Sequence, residues 1–490
     1  MSSIFQFNTP QSPTLEQVGG KALSLIEMTR AGMPVPPGFV LAVDFFTPWL
    51  DALKRSPHWS DLKPDSVQKL GAATHAIQTL ARNLTFTAEQ KQELEQALVP
   101  FHQANHGRLY AVRSSSPEED LEGASFAGGY ETTLGVTVDG IEAAILHSFV
   151  SSFDERVFLY KKEHGFSLTE PRIAVIVQQQ VNADSAGVAF SLNPLNNCFD
   201  EAVINANYGL GESVVAGDVE PDLFVVDQPT RRIIEARAGS KKTVITLNQA
   251  GGTEKSTRES HPETAITNEQ ALALTDLLQR VAAHYQKPVD IEWAIAEGKI
   301  FLLQARPITT YLPLPPEMVT APNEPKRLYA NSTLIEQGLQ EPLSALGTDF
   351  LGYVLNKVGG PVAEGAIGLD GVTFTASGGY YMNVSHAMMM GMRNAALAPG
   401  SFGDPRVMEI LDGIDMREYT RGELPAKLKA MRGQMIFKML PMVKSAMGAY
   451  LRPQRVLAKY QAALPDELQR LANFSGAGMS LHEQAVTLTN

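Results

Sequence analysis

The sequence is poor in cysteine, in basic residues and in long apolar stretches, and each scarcity excludes a class of protein. The single cysteine, Cys198, excludes an internal disulfide and a cysteine-based zinc site, and fits a reducing cytoplasm. The net charge of -12 argues against nucleic-acid binding by the whole molecule. No stretch reaches the roughly 18 apolar residues of a membrane-spanning helix, and residues 1–12 lack a signal-peptide pattern. We therefore expect a cytoplasmic protein that binds neither nucleic acid nor membrane.

The 490 residues, 44% of them hydrophobic, are enough for several buried cores. Six prolines in residues 307–325 predict a semi-rigid linker, because proline removes a backbone donor and fixes φ. The sequence predicts an α+β domain over 1–312, a linker over 313–326 and a second region over 327–490. That second region is predicted to be largely helical after residue 404.

Hydrophobic periodicity predicts the elements before the linker. Helices are predicted over 20–32, 88–99 and 268–286, and strands over 109–114, 172–180, 186–192, 201–206, 222–227, 231–237 and 243–247. Beyond the linker, residues 372–384 read as strand and 405–475 as helix.

Methionines are concentrated after the linker, where twelve of the 17 fall between 382 and 447. Residues 417–459 carry ten Lys or Arg against two Glu, a local charge of +8. Three interpretations stay open for these helices. Methionine can fill an irregular core, line a pocket for an organic ligand, or support binding to a membrane surface.

Residues 290–309 read as a β-hairpin around a three-residue loop, Glu297-Gly298-Lys299. Pairing residue 296 with 300 would place 292 opposite 304 and 290 opposite 306. The predicted apolar face carries Ile291, Trp293, Ile295, Phe301, Leu303 and Ala305, and the predicted polar face carries Asp290, Glu292, Gln304 and Arg306. Hard oxygens beside a guanidinium suit Mg²⁺ and phosphates, although an ordinary amphipathic hairpin has the same pattern.

Two further segments are candidate phosphate sites. In residues 109–136 an apolar strand ends in Arg113 and three serines, before a loop with Gly128 and Gly129. In residues 16–38, Gly19-Gly20-Lys21 precedes a helix, without the spacing of a Walker A loop. Residues 208–216 lack the third glycine of a dinucleotide fingerprint, so a Rossmann domain is not predicted.

Together these segments resemble the nucleotide-binding domain of the pyruvate, phosphate dikinase and phosphoenolpyruvate synthase family, which rifampicin phosphotransferases share. The matching pieces, in family order, are GGKALSLIEMTRAGMPVPPGF at 19–39, YAVRSSSPEEDLEGASFAGGYETTL at 110–134, IAVIVQQQV at 173–181, NYGLGESVVAGDVEPD at 207–222 and DIEWAIAEGKIFLLQARPIT at 290–309. The resemblance implies an ATP-grasp-like fold, in which two lobes clamp the nucleotide.

The resemblance also implies a role for each matching residue. Lys21, Arg113 and Arg306 would hold the phosphates of ATP, the substrate. Glu292 and Gln304 would be the ligands of Mg²⁺. The resemblance further implies a glycine-rich loop containing Gly128 and Thr132, and places Gln178 near the adenine or ribose, with a register uncertain by one position.

The sequence departs from the family after the linker. The family's phosphocarrier histidine lies in a glycine-rich segment ending Thr-x-His-Ala, which does not occur here. The nearest look-alike, residues 375–387, places His386 too far from Gly379, and alternation across Tyr380, Met382 and Val384 favours a sheet. Residues from 327 onward instead resemble the acceptor-binding region of rifampicin phosphotransferase-like members.

The leading hypothesis is therefore a dikinase-type phosphotransferase with paired acceptors, expected to bind ATP without completing turnover alone. The alternative is a non-catalytic ATP-binding subunit that serves a separate histidine-bearing chain. An ATP-grasp ligase is the third hypothesis. The acceptor stays open between pyruvate and an apolar organic compound, and so does the oligomeric state.

Overall fold

The chain divides into two compact units, residues 1–312 and 313–490, in the computed structural model. The residues that the structure describes are 3–62, 67–104, 108–118, 120–121, 124–125, 131–260, 262–331, 344–347, 350, 368–391 and 413–472. Among them, no helix is both long enough and apolar enough to cross a bilayer.

The first unit mixes helices with two large antiparallel sheets, as expected for the α+β class. Its helices are α1 (Leu15–Arg30), α2 (Thr47–Lys54), α3 (Pro57–Ser60), α4 (Val67–Ala81), α5 (Ala88–Ala104), α6 (Ile141–Ser151), α7 (Glu155–Glu163), α8 (Glu212–Val215) and α9 (Asn268–Tyr285). Its strands are β1 (Ile4–Gln6), β2 (Gly38–Leu41), β3 (Tyr110–Ser115), β4 (Asp120–Leu121), β5 (Ala124–Ser125), β6 (Thr132–Val136), β7 (Ala174–Gln179), β8 (Ser185–Phe190), β9 (Glu201–Tyr208), β10 (Asp222–Asp227), β11 (Arg232–Arg237), β12 (Thr243–Leu247), β13 (Thr253–Thr257), β14 (Val289–Ala296) and β15 (Lys299–Pro307).

The first sheet has the strand order β1-β2-β7-β3-β6. Its central strand β7 begins with an apolar run, residues 174–177, and both faces of that run are covered. Val175 and Val177 pack into a cluster with the helices that follow β2. Ala174 and Ile176 point the other way, into a cluster with residues of α1. Because successive side chains of a strand point to opposite faces of the sheet, this one apolar run contributes to two cores.

The second sheet has the strand order β11-β10-β9-β8-β14-β15 and packs one face against α9. A capping box starts α9: the Thr267 hydroxyl accepts from the Gln270 backbone N–H, and the Gln270 side chain accepts from the Thr267 N–H. The helix ends before Gln286, which has the left-handed φ of 52°. The separate hairpin β12–β13 and the short pair β4–β5 complete the unit's strands among the described residues.

The seven strands predicted in the first unit are confirmed, with bounds that differ by no more than two residues. The helix predicted over 20–32 corresponds to the part of α1 that follows a kink at Gly19, and the first turn of α1, from Leu15, was not predicted. The predicted end of the second helix at residue 99 is wrong. Helix α5 continues through Pro100 to Ala104. Strands β1, β2, β6 and β13 were not anticipated.

The described part of the second unit contains a small antiparallel sheet and several α-helices, with helical residues also at 345–347. Its strands are β16 (Tyr329–Asn331), β17 (Thr373–Ala376) and β18 (Gly379–Asn383), in the order β16-β18-β17, and its helices are Val384–Met389, Met416–Tyr419, Ala426–Leu451 and Pro453–Ala472. The strand predicted over 372–384 is therefore a hairpin. Val384, predicted as strand, instead begins a helix that the Asn383 side chain caps by accepting the His386 N–H.

Methionines fill much of the core of the second unit. Two clusters contain Met382, Met388, Met389, Met390, Met416 and Met431. This supports the core-filling interpretation for those side chains. A groove of about 710 Å³ is lined by Met389, Leu424, Lys429 and Arg432, so apolar and basic groups also meet at one surface.

Candidate nucleotide site

Three of the predicted site residues meet in the first unit, where the two large sheets approach each other. Arg113 is in β3 of the first sheet, whereas Glu292 and Gln304 are paired across β14 and β15 of the second. The Arg113 Nη2 donates to Gln304 Oε1 at 2.6 Å and to Glu292 Oε2 at 3.3 Å. Its Nη1 donates to the Leu303 carbonyl at 2.8 Å. The guanidinium therefore joins the two sheets at a polar, largely buried point.

The turn of the β14–β15 hairpin differs from the prediction. Ala296 pairs with Lys299, not with residue 300, so the loop contains only Glu297 and Gly298. Both have positive φ, 50° and 72°, as a tight two-residue hairpin turn requires. The predicted three-residue loop is therefore wrong.

A bulge restores the predicted pairing at the polar end of this hairpin. The register shifts between Glu292 and Trp293, and Glu292 still lies opposite Gln304 as predicted. The predicted position of Phe301 and Leu303 on the face of Trp293 is wrong. These two side chains belong to the cluster on the opposite side of the sheet. On one side of the bulge the strands keep the predicted pairing of Glu292 with Gln304, and on the turn side the pairing is shifted by one residue.

Arg306 lies at the outer end of the same polar face. Its Nε donates to both carboxylate oxygens of Asp290, at 2.9 and 3.0 Å, across the predicted 290–306 pair. The Arg306 side chain is 37% exposed, against 11% for Arg113. The proposed phosphate contact of Arg306 stays a prediction, and Asp290 now has a definite role in orienting that side chain.

Helix α1 brings the Gly-Gly-Lys segment to the site through the serines that follow Arg113. The Ala22 N–H donates to Ser115 Oγ at 3.0 Å, and that hydroxyl donates to the Val18 carbonyl at 2.7 Å. Two residues later, Ser24 Oγ donates to the Ala305 carbonyl at 2.7 Å. Lys21, half-exposed, therefore lies on a helix anchored to both sheets.

The glycine-rich segment is described only in part. Thr132 is exposed in β6, directly opposite Arg113 in β3, so these two predicted residues are neighbours. Gly128 lies outside the described residues. Before this segment in the sequence, Glu118 forms an ion pair with the buried Lys161 at 2.6 Å. After this segment in the sequence, Glu131 pairs with His147.

Gln178 is buried in β7 between Gly38 and Ala111, on the neighbouring strands. Its Nε2 donates to the Pro36 carbonyl at 3.1 Å. Two residues on, the Oε1 of Gln180 is buried without a hydrogen-bond partner. A buried acceptor of this kind is a suitable partner for an amino group, such as that of adenine. The proposed contact of Gln178 with the adenine or ribose stays a prediction, and Gln180 is a second candidate, which the structure adds.

The oxygens of Glu292 and Gln304 fit a magnesium site in which the protein supplies only two of the ligands. Both accept from one nitrogen atom, so they converge on a single cationic position. In the described part of the chain, no group of three or more His, Cys, Asp or Glu could hold a metal. Mg²⁺ commonly binds through one or two protein oxygens, with phosphates and water completing the shell. The residues present fit that arrangement and do not form an all-protein cage.

His386 lies in the second unit and is buried, as a structural histidine would be. Its Nδ1–H donates to the Gly371 carbonyl at 2.7 Å. Burial lowers the pKa of His386 below its ordinary value, although the bond to Gly371 opposes the shift. The look-alike of the family's histidine segment is therefore an ordinary part of a core.

We expect His386 to make the protein less stable in acid. Because the folded-state pKa is lowered, the unfolded chain takes up the proton first as the pH falls through about 6.5. The stability contributed by the neutral ring is complete above that pH and is lost below it. Melting temperatures of wild type and His386→Gln, compared at about pH 7.5 and 5.5, test this. Wild type should lose more on acidification, whereas the exposed His75→Gln should behave as wild type; equal losses in all three would contradict it.

Sequence reasoning missed the residues that hold the site together. Ser24 and Ser115 make the bonds that fix α1, and Asp290 fixes Arg306. The sequence placed Asp290 opposite residue 306 and Ser115 in a serine triplet, but it assigned neither of them, nor Ser24, this positioning role. The serine triplet after Arg113 was the available signal for Ser115. No local pattern distinguishes Ser24, because its partner, Ala305, lies 281 residues away.

Comparison with known proteins gives a consistent result. The family described as pyruvate phosphate dikinase, AMP/ATP-binding domain, matches residues 15–323. The uncharacterized phosphotransferase YvkC of Bacillus subtilis is 37% identical over 60% of this chain and 33% of its own length. A probable phosphoenolpyruvate synthase of Methanocaldococcus jannaschii is 34% identical over 60% of this chain and 25% of its own length. The rifampicin phosphotransferase of Bacillus subtilis is 32% identical over 71% and 40%. The chain thus spans less than half the length of these relatives.

Proposed function

The chain belongs to the pyruvate phosphate dikinase AMP/ATP-binding domain family, and we propose that its first unit binds Mg·ATP for dikinase-type phosphoryl transfer. The observation that carries the proposal is the contact of Arg113 with Glu292 and Gln304. It brings a phosphate-binding cation and two hard oxygens together from segments about 180 residues apart. An amphipathic hairpin without a function would not require an arginine from the other sheet at this point.

In this proposal the site acts by positioning and by neutralising charge. Glu292 and Gln304 hold Mg²⁺, while Lys21, Arg113 and Arg306 contact the phosphates. Fixed cations stabilise the charge that develops during phosphoryl transfer, and the protein need supply no covalent chemistry here. Gly128 belongs to the glycine-rich loop beside the phosphates, Thr132 follows that loop at the start of β6, and Gln178 lies toward the adenine or ribose.

We also propose that the first unit has an ATP-grasp-like architecture. Its five-stranded and six-stranded sheets each contribute residues to one polar site, as two lobes around a nucleotide would. Helix α1 links them, with Ala22 bonded to one sheet and Ser24 to the other. The support for this fold is the distribution of site residues between the sheets.

The phosphoryl acceptor is proposed to be a small molecule, pyruvate or an apolar organic compound. Two of the relatives named above are a probable phosphoenolpyruvate synthase and a rifampicin phosphotransferase, which correspond to those two chemistries. In the proposed reaction the phosphoryl group reaches the acceptor through a histidine outside this sequence. We place the reaction in the cytoplasm.

Calorimetric titration with ATP, with and without Mg²⁺, tests the nucleotide site. Wild type should bind Mg·ATP at micromolar concentrations. Glu292→Ala should weaken Mg²⁺-dependent binding roughly 10- to 100-fold, the effect of losing one charged contact of about 1.5–3 kcal/mol. Glu297→Ala, in the exposed turn of the same hairpin, is the matched control and should bind as wild type. Folded wild type that binds no ATP, or a Glu292→Ala variant that binds normally, would refute the assignment.

A further inference from the structure

Arg113 contacts the same two oxygens that the proposed magnesium ion requires. Its Nη2 lies 2.6 Å from Gln304 Oε1 and 3.3 Å from Glu292 Oε2. A magnesium ion would need those oxygens at roughly 2.0–2.1 Å, on the side where they converge. The guanidinium and the metal therefore compete for one position.

The competition is strong because the position is shielded from water. Gln304 is buried, and the Arg113 side chain is only 11% exposed. Two cations a few ångströms apart repel each other far more in such a place than in bulk water. Binding of the metal to both oxygens thus requires the guanidinium to withdraw.

The Arg113 guanidinium can also bind phosphate, and this alternative contact is what would draw it away from the two oxygens. Its Nη1 donates to the Leu303 carbonyl, which is a neutral acceptor. A hydrogen bond from the guanidinium to a charged phosphate oxygen would be stronger than this bond. Phosphate anions arriving at the site therefore attract the guanidinium away from the two oxygens. The metal can then enter the vacated oxygen pair.

We propose that Arg113 is a placeholder cation that occupies the Glu292–Gln304 oxygen pair until nucleotide phosphates draw it away, which makes metal binding conditional on the nucleotide. The inference rests on the proposed ATP site and adds to it an order of events. It gives a positive coupling between nucleotide and metal, reciprocal by linkage. Free divalent cation by itself should bind poorly, since it must compete with a guanidinium already in place.

The test is Mn²⁺ binding without nucleotide, measured from the electron paramagnetic resonance signal of free Mn²⁺. Arg113→Met should bind Mn²⁺ about tenfold more tightly than wild type, within the usual range of coupling between sites. The same variant should bind metal-free ATP more weakly, because it has lost a phosphate contact. Lys299→Met is the matched control: it removes a positive charge from the exposed turn end of the β14–β15 hairpin, where no ligand contact is proposed. It should change Mn²⁺ affinity less than about threefold.

Two further variants keep the result interpretable. Arg113→Lys retains the charge but cannot bridge both oxygens, so it should give a smaller gain in Mn²⁺ affinity, and it decides the question if Arg113→Met does not fold. An equal gain from Lys299→Met, or no gain from either Arg113 variant, would overturn the placeholder role. Adding Glu292→Ala to Arg113→Met should abolish the gain. If the gain persists there while ATP still binds, the metal ligand is misassigned, which is a separate failure from loss of ATP binding itself.

Discussion

Replacing Asp222 by alanine is expected to destabilise the protein by about 3–5 kcal/mol, the usual cost of breaking a buried ion pair. Asp222 and Lys241 bury their side chains completely, and Lys241 Nζ lies 2.5 Å from Asp222 Oδ1. The alanine variant would leave the ammonium with the Gly239 carbonyl among its contacts but without its counter-charge. Urea unfolding, followed by tryptophan fluorescence, measures the loss.

The cost is large because Asp222 also satisfies backbone donors. Its carboxylate accepts from the Gly239 and Ala265 N–H groups, which come from two different connections. Removal of the carboxylate leaves the buried Gly239 donor and the partly buried Ala265 donor without this acceptor, in addition to the ammonium. The acidic end of the segment 207–222, part of the family resemblance, thus has a structural explanation that needs no ligand.

Asp218→Ala is the control, because Asp218 lies in the same segment and pairs with Lys255 at 2.7 Å in an exposed position. Its loss should cost less than about 1 kcal/mol. The double variant Asp222→Ala with Lys241→Met should recover part of the stability by removing the unpaired charge. Equal effects from Asp218→Ala and Asp222→Ala would show that burial of the pair does not determine its contribution.

The sheets of the first unit were predictable from sequence because their strands are long, apolar and bounded by polar turns. Strand β7 is the clearest case, with each residue of its apolar run buried in one of two cores. Short elements were missed for the opposite reason. Strand β2 follows Pro36 and Pro37 and spans only Gly38–Leu41, too short to show a period. Its position is determined by pairing with β7 and not by local preference.

Strand pairing within the candidate site was predictable from the sequence, whereas the contact between the two sheets was not. The hairpin placed Glu292 opposite Gln304, and this pairing is confirmed although the predicted loop was one residue too long. A bulge beside Trp293 compensates for the shorter turn, and no local sequence signal announces that bulge. The contact of Arg113 with this pair joins two sheets, so it depends on tertiary packing. Hydrophobic periodicity carries no information about such a contact.

Replacing Gly19 by alanine is expected to destabilise the protein by roughly 2–6 kcal/mol, from about 1–3 for a backbone conformation (φ 74°, ψ 166°) that favours glycine and about 1–3 for overpacking. Gly19 has φ +74°, and a Cβ there would lie 2.5 Å from the Ser115 backbone carbonyl. Relief of that clash requires α1 to move away from the strand that carries Arg113. Because Lys21 lies two residues further along α1, we also expect ATP to bind several-fold more weakly. Urea unfolding and calorimetry on the same preparation measure both effects.

Gly32→Ala separates the two sources of the effect. Gly32 has nearly the same φ, +71°, but nothing lies within 4 Å of a Cβ built there. The control should therefore lose only the conformational part, about 1–2 kcal/mol, and should bind ATP as wild type. If both variants lose equal stability and neither loses affinity, close contact between Gly19 and Ser115 is not what positions Lys21. A loss of affinity confined to Gly19→Ala would instead mean that the kink in α1 keeps its lysine in register with the arginine of the neighbouring strand.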